Sequence, residues 1–502
     1  MKPLFYTAAI LFFSIAAQAR ILQVGDGQPY TRVAEAADDA LPGDTILVVP
    51  GTYPGGEYIE NLQGTSDSWI LIHGKAVTIQ GGTNAFHFSD PAYVRIEGFT
   101  FEGQTGNGVN IDDGGTYDTP AHHVEIRACR FNALNASGNN DQLKLSGLDN
   151  FTILNCNFAD GSAGGSQIDM VGCHDGVIQR SYFSQAGSNC IQAKGGTRNI
   201  LITQCRFVDG YQRGINIGGS TGLQFFRPLG ANYEAAEIKV YSNIFVRGNA
   251  PIAYVGATNC EVINNTIYMP EKWAIRILQE TTAPGFLPCG NNSFINNIVV
   301  IDNGAASPTI NIGPNTAPET FTFANNLWYN DDNQSWNGPN LPVTESDGVL
   351  NQDPLLVDPS LGEFKIRAQS PAIAAGLYVD EPTRDYYDSL YNRPRSIGAA
   401  EGNPPTVGIE DEFIEPIPQE LDVGLYPNPA TGYVHVKVHT RAASDMRVQV
   451  YSVLGKLVRD SYVSGEGGES VIRIPLQDLP TGMYSIRTSS GASTVTKPIL
   501  KR

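Results

Sequence analysis

Positive charge is scarce in this sequence. Only 17% of its 502 residues are charged, and 33 Lys and Arg stand against 51 Asp and Glu, which gives a net charge of −18 at pH 7. A protein that binds the phosphate backbone of nucleic acid needs a basic face that releases counterions. The composition therefore argues against a nucleic-acid partner.

Cysteine patterns typical of metal sites are also missing. The chain has seven Cys, but it has no CxxC string and no Cys/His spacing of a zinc site. Cys129, Cys156 and Cys205 occupy one position of a repeat, in the strings RACRF, LNCNF and TQCRF, and Ser181 fills that position between the last two. We expect these small side chains to stack in an interior ladder. The sequence leaves undecided whether Cys129 and Cys156 form a disulfide.

Long apolar runs are confined to the N-terminus. Lys2 precedes an apolar stretch over Leu4–Ala17, and Ala17-Gln18-Ala19 fits a cleavage site, so residues 1–19 are predicted to be a signal peptide. No later segment approaches the ~18 apolar residues that a membrane-spanning helix needs. We therefore expect an exported mature protein that has no transmembrane segment.

A repeated unit fills the middle of the chain. Its units end in CRF, CNF, SYF, CRF, NIF, NTI, NIV and NLW, and each also carries an earlier alternating strand: GVNID, QLKLS, QIDMV, IQAKG, GINIG, AIRIL or TINIG. Short strands separated by Gly and Asn turns, at a period of ~24 residues, predict an all-β fold, a right-handed single-stranded parallel β-helix. An Asn column lies at Asn243, Asn265, Asn297 and Asn326, and we predict that it is a structural interior ladder.

The segments around the repeats complete the domain prediction. Over Pro29–Leu41, one helical face holds Val33, Ala36, Ala37 and Leu41, which predicts a short helix that caps the open end of the first coil. The β-helix domain, with a C-terminal cap, is predicted over residues 20–402. The stretch 403–422 is rich in Pro and acids and is predicted to be a linker. Alternating strands over 423–502 predict a small β-sandwich.

The chain resembles two known families. Residues ~20–402, with the strings ALPGDTILVVPGTY and NRPRSIGAAEG, resemble secreted right-handed β-helix proteins of the pectate-lyase-like superfamily. Residues 423–502 closely resemble the type A sorting domain of the type IX secretion system of Bacteroidota, through the strings YPNP, LPTGMY and the basic end KR. The second resemblance implies contact with the type IX machinery and a secreted or cell-surface location.

Strand alternation predicts which side chains form an outward-facing row, since every second side chain of a strand points away from the core. The predicted outward residues are Asn110, Lys144, Asp169, Gln192, Asn216, Arg276 and Asn311, with Asp112, Ser146, Val171, Lys194 and Gly218 two positions later. Just before the strands lie Asp141, Ser166, Asn189, Arg213 and Trp273. A polar row of this kind suits a long polar polymer, and we expect a monomer that acts on a polysaccharide.

If the polymer contains uronic acid, the leading hypothesis is a lyase that cleaves it by β-elimination. This reaction needs a partner for the sugar carboxylate, a base for the adjacent proton and a donor for the departing oxygen. Within the β-helix superfamily, Lys or Arg is the usual base. The resemblance thus makes Lys144 and Lys194 candidate bases and Arg213 and Arg276 candidate carboxylate partners. Asp169 is assigned to orienting a lysine.

Sugar contacts are assigned to Asn110, Gln192 and Asn216 as hydrogen-bonding amides and to Trp273 as a stacking ring. A carboxylate next to Lys144 raises the pKa of that lysine, which disfavours Lys144 as a base. The superfamily often uses Ca²⁺, and a set of acids is available for it: Asp112, Asp113, Asp141 and Asp169. No EF-hand or GGxGxD spacing accompanies these acids, so the metal site stays undefined.

Two other classes of function stay open. A glycoside hydrolase needs two acids at a suitable separation, and the strings of the polygalacturonase branch are missing. A non-catalytic carbohydrate-binding or cell-surface protein would use the same amide-rich face for adhesion and would form no product. The sequence alone leaves the identity of the polymer undetermined.

Overall fold

The computed structural model describes residues 19–303, 309–402, 422–440, 444–452, 456–465, 468–490 and 493–502. The chain divides between residues 405 and 406 into two compact units, and each unit is described by itself. The apolar stretch of the predicted signal peptide lies outside the described residues. So does the predicted linker, apart from its last residue, Asp422.

The first unit is a right-handed parallel solenoid of about 12 turns with very little helix. One set of 24 strands wraps two of its faces. These strands are Ile21–Val24, Thr45–Val48, Gly51–Pro54, Ile70–Gln80, Ala92–Glu102, Ala121–Arg127, Arg130–Asn132, Leu148–Leu154, Asn157–Phe158, His174–Gln179, Tyr182–Ser184, Thr197–Thr203, Arg206–Val208, Ala235–Ala236, Lys239–Tyr241, Ile244–Val246, Ala257–Thr258, Glu261–Ile263, Thr266–Tyr268, Ser293–Ile295, Ile298–Ile301, Thr322–Ala324, Leu327–Asn330 and Val349–Leu350.

A second set of parallel strands forms a separate face, called the ten-stranded sheet below. Its strands are Glu57–Glu60, Phe86–Ser89, Val109–Asp112, Leu143–Ser146, Ile168–Val171, Asn189–Lys194, Arg213–Gly218, Ile252–Val255, Ile275–Leu278 and Ile310–Ile312. Each strand pairs in register with the strand of the next turn. The predicted strands GVNID to TINIG all lie in this sheet.

Aromatic and aliphatic side chains fill the interior of the solenoid. Stacked phenylalanines run through five turns, with neighbouring ring centroids 4.6 to 5.0 Å apart: Phe131, Phe158, Phe183, Phe207 and Phe245. These rings come from the repeat position that the sequence marks as aromatic. Their burial fixes the register, because a slip of one residue would turn each ring toward solvent.

The asparagine ladder is confirmed. Along Asn243, Asn265, Asn297 and Asn326, each side-chain oxygen accepts the backbone N–H of the previous turn at 2.8 to 2.9 Å. Glu345 ends the ladder by accepting from the backbone N–H of Asn326 at 3.0 Å and from its side-chain amide at 2.7 Å. These buried amides therefore have structural partners.

The cysteine column lies in line with this ladder. All seven Cys are free and buried, and Cys129, Cys156 and Cys205 lie in the core as the sequence predicts. Ser181 accepts from the backbone N–H of Cys156 at 3.1 Å, so serine and cysteine share one column. Burial raises the pKa of the Cys129 and Cys205 thiols to about 12.

The N-terminal helix is shorter than predicted. It covers Val33–Asp39, and Val33, Ala36 and Ala37 are buried. Leu41 lies beyond the helix and is 53% exposed, so its assignment to the buried face is wrong. The capping role of this helix stays a prediction.

The C-terminal part of the first unit contains little regular structure. It has one antiparallel pair, Leu356–Asp358 with Glu363–Ile366, and the 3₁₀ turn Pro359–Leu361. Two further 3₁₀ turns occur earlier, at Leu223–Phe225 and Pro318–Thr320. None of the helices among the described residues is long and apolar enough to cross a membrane.

The second unit consists of two antiparallel sheets. One contains Asp422–Tyr426, Tyr433–Thr440 and Gly468–Pro475, and the other contains Ser444–Ser452, Leu457–Gly465, Gly482–Ser490 and Ser493–Lys501. Buried side chains of both sheets, including Val436, Val448 and Ile486, form one hydrophobic core. Two sheets that share a core agree with the sandwich that the alternation predicts.

Candidate functional site

The outward row predicted from the sequence lies in register along the ten-stranded sheet. Backbone pairing runs from Asn110 to Lys144, Asp169, Gln192 and Asn216. The row then continues through Ala253, Arg276 and Asn311. Since turns stack about 4.8 Å apart, each side chain of the row lies beside that of the next turn. Ala253 is a member that the sequence prediction missed, because its strand is apolar throughout.

Asp169 is the centre of a buried charged cluster. Its Oδ2 accepts a hydrogen bond from the Lys144 ammonium and lies 3.1 Å from the Lys194 ammonium. Lys144 Nζ also lies 3.4 Å from Oδ2 of Asp141. Both aspartates are at most 1% exposed, and Lys194 is 9% exposed. We call these four residues the Lys–Asp cluster.

Ionisation within the Lys–Asp cluster is strongly shifted. Burial lowers the pKa of Lys144, but the charges of Asp169 and Asp141 outweigh burial and raise it above its ordinary value. Burial raises the pKa of Asp169, and the two lysines more than reverse that effect, so the net direction is down. Burial and the charge of Asp169 together raise the pKa of Asp141 to about 6.

Two oxygens of the cluster have no hydrogen bond although they are buried. They are Oδ1 of Asp169 and Oδ2 of Asp141, of which the second has only the ion pair with Lys144. The other oxygen of Asp141 accepts the backbone N–H of Ser166 at 2.8 Å. Buried carboxylate oxygens with spare acceptor capacity are suited to binding a polar ligand or a proton.

An amide group lies next to the cluster. Oε1 of Gln192 accepts from the hydroxyl of Ser166 and from the side-chain amide of Asn189, both at 3.3 Å. In the next turn, Arg213 donates to Oδ1 of Asn216 at 3.0 Å. A second contact of Arg213 reaches Glu280, at 3.1 Å.

Lys194 and Arg213 lie on opposite sides of the row. Arg213 pairs with Asn189, five positions before Lys194 on the strand Asn189–Lys194. Their side chains nevertheless lean toward the same central column, since Arg213 contacts Asn216 and Lys194 contacts Asp169. Asp169 and Asn216 lie one turn to each side of Gln192, so the two basic side chains flank Gln192.

A second cationic region lies further along the row. The guanidinium of Arg276 stacks 4.2 Å from the ring of Trp273 and donates to Asn311 at 3.1 Å. The ammonium of Lys272 lies 4.2 Å from the same ring. Burial and the charge of Arg213 lower the pKa of Arg276, which indicates that the two guanidinium groups share one region.

The opposite end of the row is aromatic. Tyr58 pairs with His87, and His87 pairs with Asn110, so both rings belong to the outward row. His87 lies 2.7 Å from Oδ2 of Asp112, which also accepts from Asn110 at 2.8 Å. The sequence prediction missed Tyr58 and His87, although the alternation in EYIE and FHFS predicts that both side chains face outward.

A loop over residues 219–234, called the wall loop, runs along one edge of the ten-stranded sheet. Gly219 lies directly on the row, because a Cβ there would come within 2.6 Å of Gln192 Nε2 and 3.4 Å of Lys194 Cδ. Glycine has no Cβ, which lets the backbone approach these two side chains closely. The wall loop therefore covers the C-terminal ends of the strands that carry the cluster.

Two buried acids hold the wall loop. The Glu234 carboxylate accepts from the backbone N–H of Gly195, from Thr221 and from the hydroxyl of Thr281, at 2.5 to 2.9 Å. Asp113 accepts two hydrogen bonds from Arg227, at 2.5 and 2.9 Å. These contacts join the wall loop to strands that are distant in sequence.

The candidate calcium ligands do not form a common site. Asp112 is bound by His87 and Asn110, Asp113 by Arg227, and the pair Asp141 and Asp169 by lysines. In the part of the chain that the structure describes, no group of three or more His, Cys, Asp or Glu is placed to hold a metal ion. These residues do not fit a calcium site, and a calcium requirement stays an untested prediction.

Comparison with protein-family models identifies both regions of the chain. Residues 83–267 match the model described as a right handed beta helix region, and residues 424–502 match a secretion system C-terminal sorting domain. The chain is a right-handed parallel β-helix protein with a C-terminal type IX sorting domain. This domain indicates export, consistent with a secreted or cell-surface protein.

Several of the solved structures that are similar to this chain are polysaccharide lyases. Pectate lyase Pel9A is similar over 77% of this chain and 97% of its own, at 14% identity and a TM-score of 0.51. The alginate lyase AlyGC of the PL6 family covers 76% of this chain and 58% of its own, at 14% identity and a TM-score of 0.36. The PL6 family polysaccharide lyase Pedsa3628 from Pseudopedobacter saltans is similar over 70% of this chain and 96% of its own, at 12% identity and a TM-score of 0.40.

These identities show the shared fold and nothing finer. No curated protein sequence matches the chain.

Proposed function

We propose that this β-helix protein is an exported lyase that cleaves an acidic, uronic-acid polysaccharide by β-elimination. The observation that carries the proposal is the placement of Lys194 and Arg213 on either side of Gln192, since Lys194 contacts Asp169 one turn before it and Arg213 contacts Asn216 one turn after it. A base on one side and a carboxylate partner on the other is the arrangement that the reaction needs. The similarity of the fold to that of pectate lyase Pel9A supports the same class of reaction.

Arg213 is proposed to bind the carboxylate of the sugar, and the fully buried Asn216 holds Arg213 in place. A guanidinium forms two parallel hydrogen bonds with a carboxylate, and Asn216 already orients Arg213 at 3.0 Å. Neutralising that carboxylate stabilises the negative charge that develops when the adjacent C–H loses its proton. Gln192 and Asn110 then hydrogen-bond the sugar hydroxyls.

Lys194 is proposed to take the proton, and Lys144 to protonate the departing oxygen. Lys144 contacts two carboxylates, and its raised pKa keeps it charged, as a donor requires. Lys194 has one carboxylate contact, with Asp169 at 3.1 Å. Asp169 positions both lysines toward the centre of the row.

A hydrolase is the second candidate, and one observation favours it. The pKa of Asp141 is raised to about 6 while that of Asp169 is lowered, and such a divergent pair is typical of a general acid with an ionised partner. Both acids are buried against lysines, which limits access of a sugar to them. A non-catalytic binding protein, the third class, would use the amides alone.

The test is a polymer panel with the mature protein: pectate, alginate, chondroitin and heparin-type polymers, with and without EDTA. An increase in ultraviolet absorbance from unsaturated uronate ends supports elimination. Lys194→Ala should abolish that increase, whereas Lys239→Ala, which changes a lysine of the other sheet, should leave it intact. Reducing ends without the absorbance would identify a hydrolase, and binding without any product would identify a binding protein.

A further inference from the structure

The outward row has two chemically different ends. From the fourth strand onward the sheet carries Lys144, Lys194, Arg213 and Arg276, whereas the first three strands, EYIE, FHFS and VNID, contain no Lys or Arg. The side chains there that belong to the row are Tyr58, His87 and Asn110. A polymer lying along the row thus meets cations toward one end, and Tyr58 and His87 on strands without Lys or Arg at the other.

Tyr58 is presented to solvent as a binding surface. It is 52% exposed although it lies on a regular strand of the sheet, and its ring meets that of His87 edge to face at 5.0 Å. His87 is fixed in turn by Asp112 at 2.7 Å. An exposed aromatic ring held by a hydrogen-bonded neighbour can bind the apolar face of a ligand at a small entropic cost.

Register places Tyr58 on the same line as the cluster. Three turns separate it from Lys144, which corresponds to ~14 Å, and five turns separate it from the strand of Lys194, which corresponds to ~24 Å. A polymer chain bound along the solenoid reaches both places at once, whereas a short oligosaccharide held at Lys194 does not reach Tyr58.

The charges around Tyr58 disfavour a free carboxylate. Glu60, Ser89 and Asp112 form the second outward column at this end. Burial raises the pKa of Asp112, but His87 and Gly114 outweigh it and keep this pKa below its ordinary value, so Asp112 is negative at neutral pH. The nearby guanidinium of Arg227 is neutralised by Asp113.

The geometry points to an aromatic subsite, Tyr58 with His87, that binds a sugar ring without a free carboxylate. Resting on the proposed function, the substrate is a mixed polymer, in which uronate at the cationic end is followed by neutral or esterified sugar toward Tyr58. A polymer made only of free uronate would place a negative charge beside Glu60 and Asp112. Such a homopolymer is the poorer substrate.

The test compares polymers that differ in free carboxylates. Pectate and partly methyl-esterified pectin share one backbone, and unsulfated chondroitin alternates uronate with a neutral sugar. Dissociation constants and initial rates are measured on full-length mature protein for the wild type, Tyr58→Ala, Tyr58→Phe and the control Tyr182→Ala. Tyr182 is an exposed tyrosine of the 24-stranded sheet.

We expect the wild type to prefer a mixed polymer over pectate. Tyr58→Ala should weaken mixed-polymer binding about fivefold, the effect of losing one aromatic contact, and should leave a uronate trisaccharide unaffected. Tyr58→Phe keeps the ring and should bind like the wild type, which separates lost stacking from misfolding. Tyr182→Ala should change nothing.

The outcomes separate this inference from the proposed function. If product forms and Tyr58→Ala binds the mixed polymer as tightly as the wild type, the aromatic subsite is wrong and the lyase proposal is retained. Tyr58-dependent binding without product would uphold the subsite and overturn the lyase. A wild type that neither binds nor cleaves any polymer of the panel would overturn both.

Discussion

The ammonium of Lys194 lies 3.1 Å from Oδ2 of Asp169, across the boundary between two turns of the solenoid. The same oxygen accepts from Lys144 of the preceding turn, so one buried carboxylate joins three consecutive turns. Asp169 itself is fully buried. Its single negative charge therefore pairs with two lysine side chains that water reaches poorly.

Replacement of Asp169 by Asn should destabilise the fold and impair catalysis. Removing one partner of a buried ion pair leaves an uncompensated charge, which costs about 3–5 kcal/mol. We expect the urea midpoint of unfolding to fall by a corresponding amount. Asp149→Asn is the matched control, since Asp149 pairs with a partly exposed His174. Equal midpoints for the two variants would contradict the central role of Asp169.

Asp141 should make the stability of the first unit depend on pH. Its folded-state pKa of about 6 lies above the ordinary 3.8, so the carboxyl prefers its protonated form in the folded state. The corresponding stabilisation is present below about pH 4 and is lost as the pH rises through 6. Asp141→Asn retains an acceptor for the N–H of Ser166 and removes this titration.

Urea unfolding at pH 4 and pH 8 measures the effect. Relative to the wild type, Asp141→Asn should gain up to roughly 3 kcal/mol between the two values. A variant whose stability follows the wild type in parallel over this range would show that Asp141 has the same pKa in the folded and unfolded states.

The interior of the solenoid was largely predictable from the sequence, whereas the burial of the site was not. A period of two within each strand and the recurring Phe and Asn positions determine which side chains face inward, and the row from Asn110 to Asn216 follows from the same alternation. The wall loop depends on Arg227 reaching Asp113, a residue 114 positions earlier. No local pattern in the sequence predicts such a contact.

The asparagine ladder should contribute strongly to stability. Asn297 accepts from the backbone of Asn265 at 2.9 Å and donates to the carbonyls of Val262 and Ile295, all in the buried core. Asn297→Ala leaves these groups without partners, at a cost of about 3 kcal/mol. Thermal and urea unfolding measure this, with the exposed Asn340→Ala as the control. A loss no greater than that of the control would show that water replaces the amide.

Release of the wall loop should expose its apolar tip to proteolysis. Leu223 and Phe225 are each 52% exposed, yet the loop around them is held by the buried pair of Arg227 and Asp113. Asp113→Asn removes the charge that Arg227 needs and should loosen the loop, while the stacked turns beneath it keep their hydrogen bonds. Chymotrypsin should then cleave near Phe225 at least several-fold faster than in the wild type, with little change in the melting temperature.

Because Gly219 lies on Gln192 and Lys194, the same variant should raise KM for the polymer. Asp175→Asn, which changes an exposed aspartate of the strand His174–Gln179, is the control. Cleavage at the wild-type rate in Asp113→Asn would show that Glu234 alone fixes the loop.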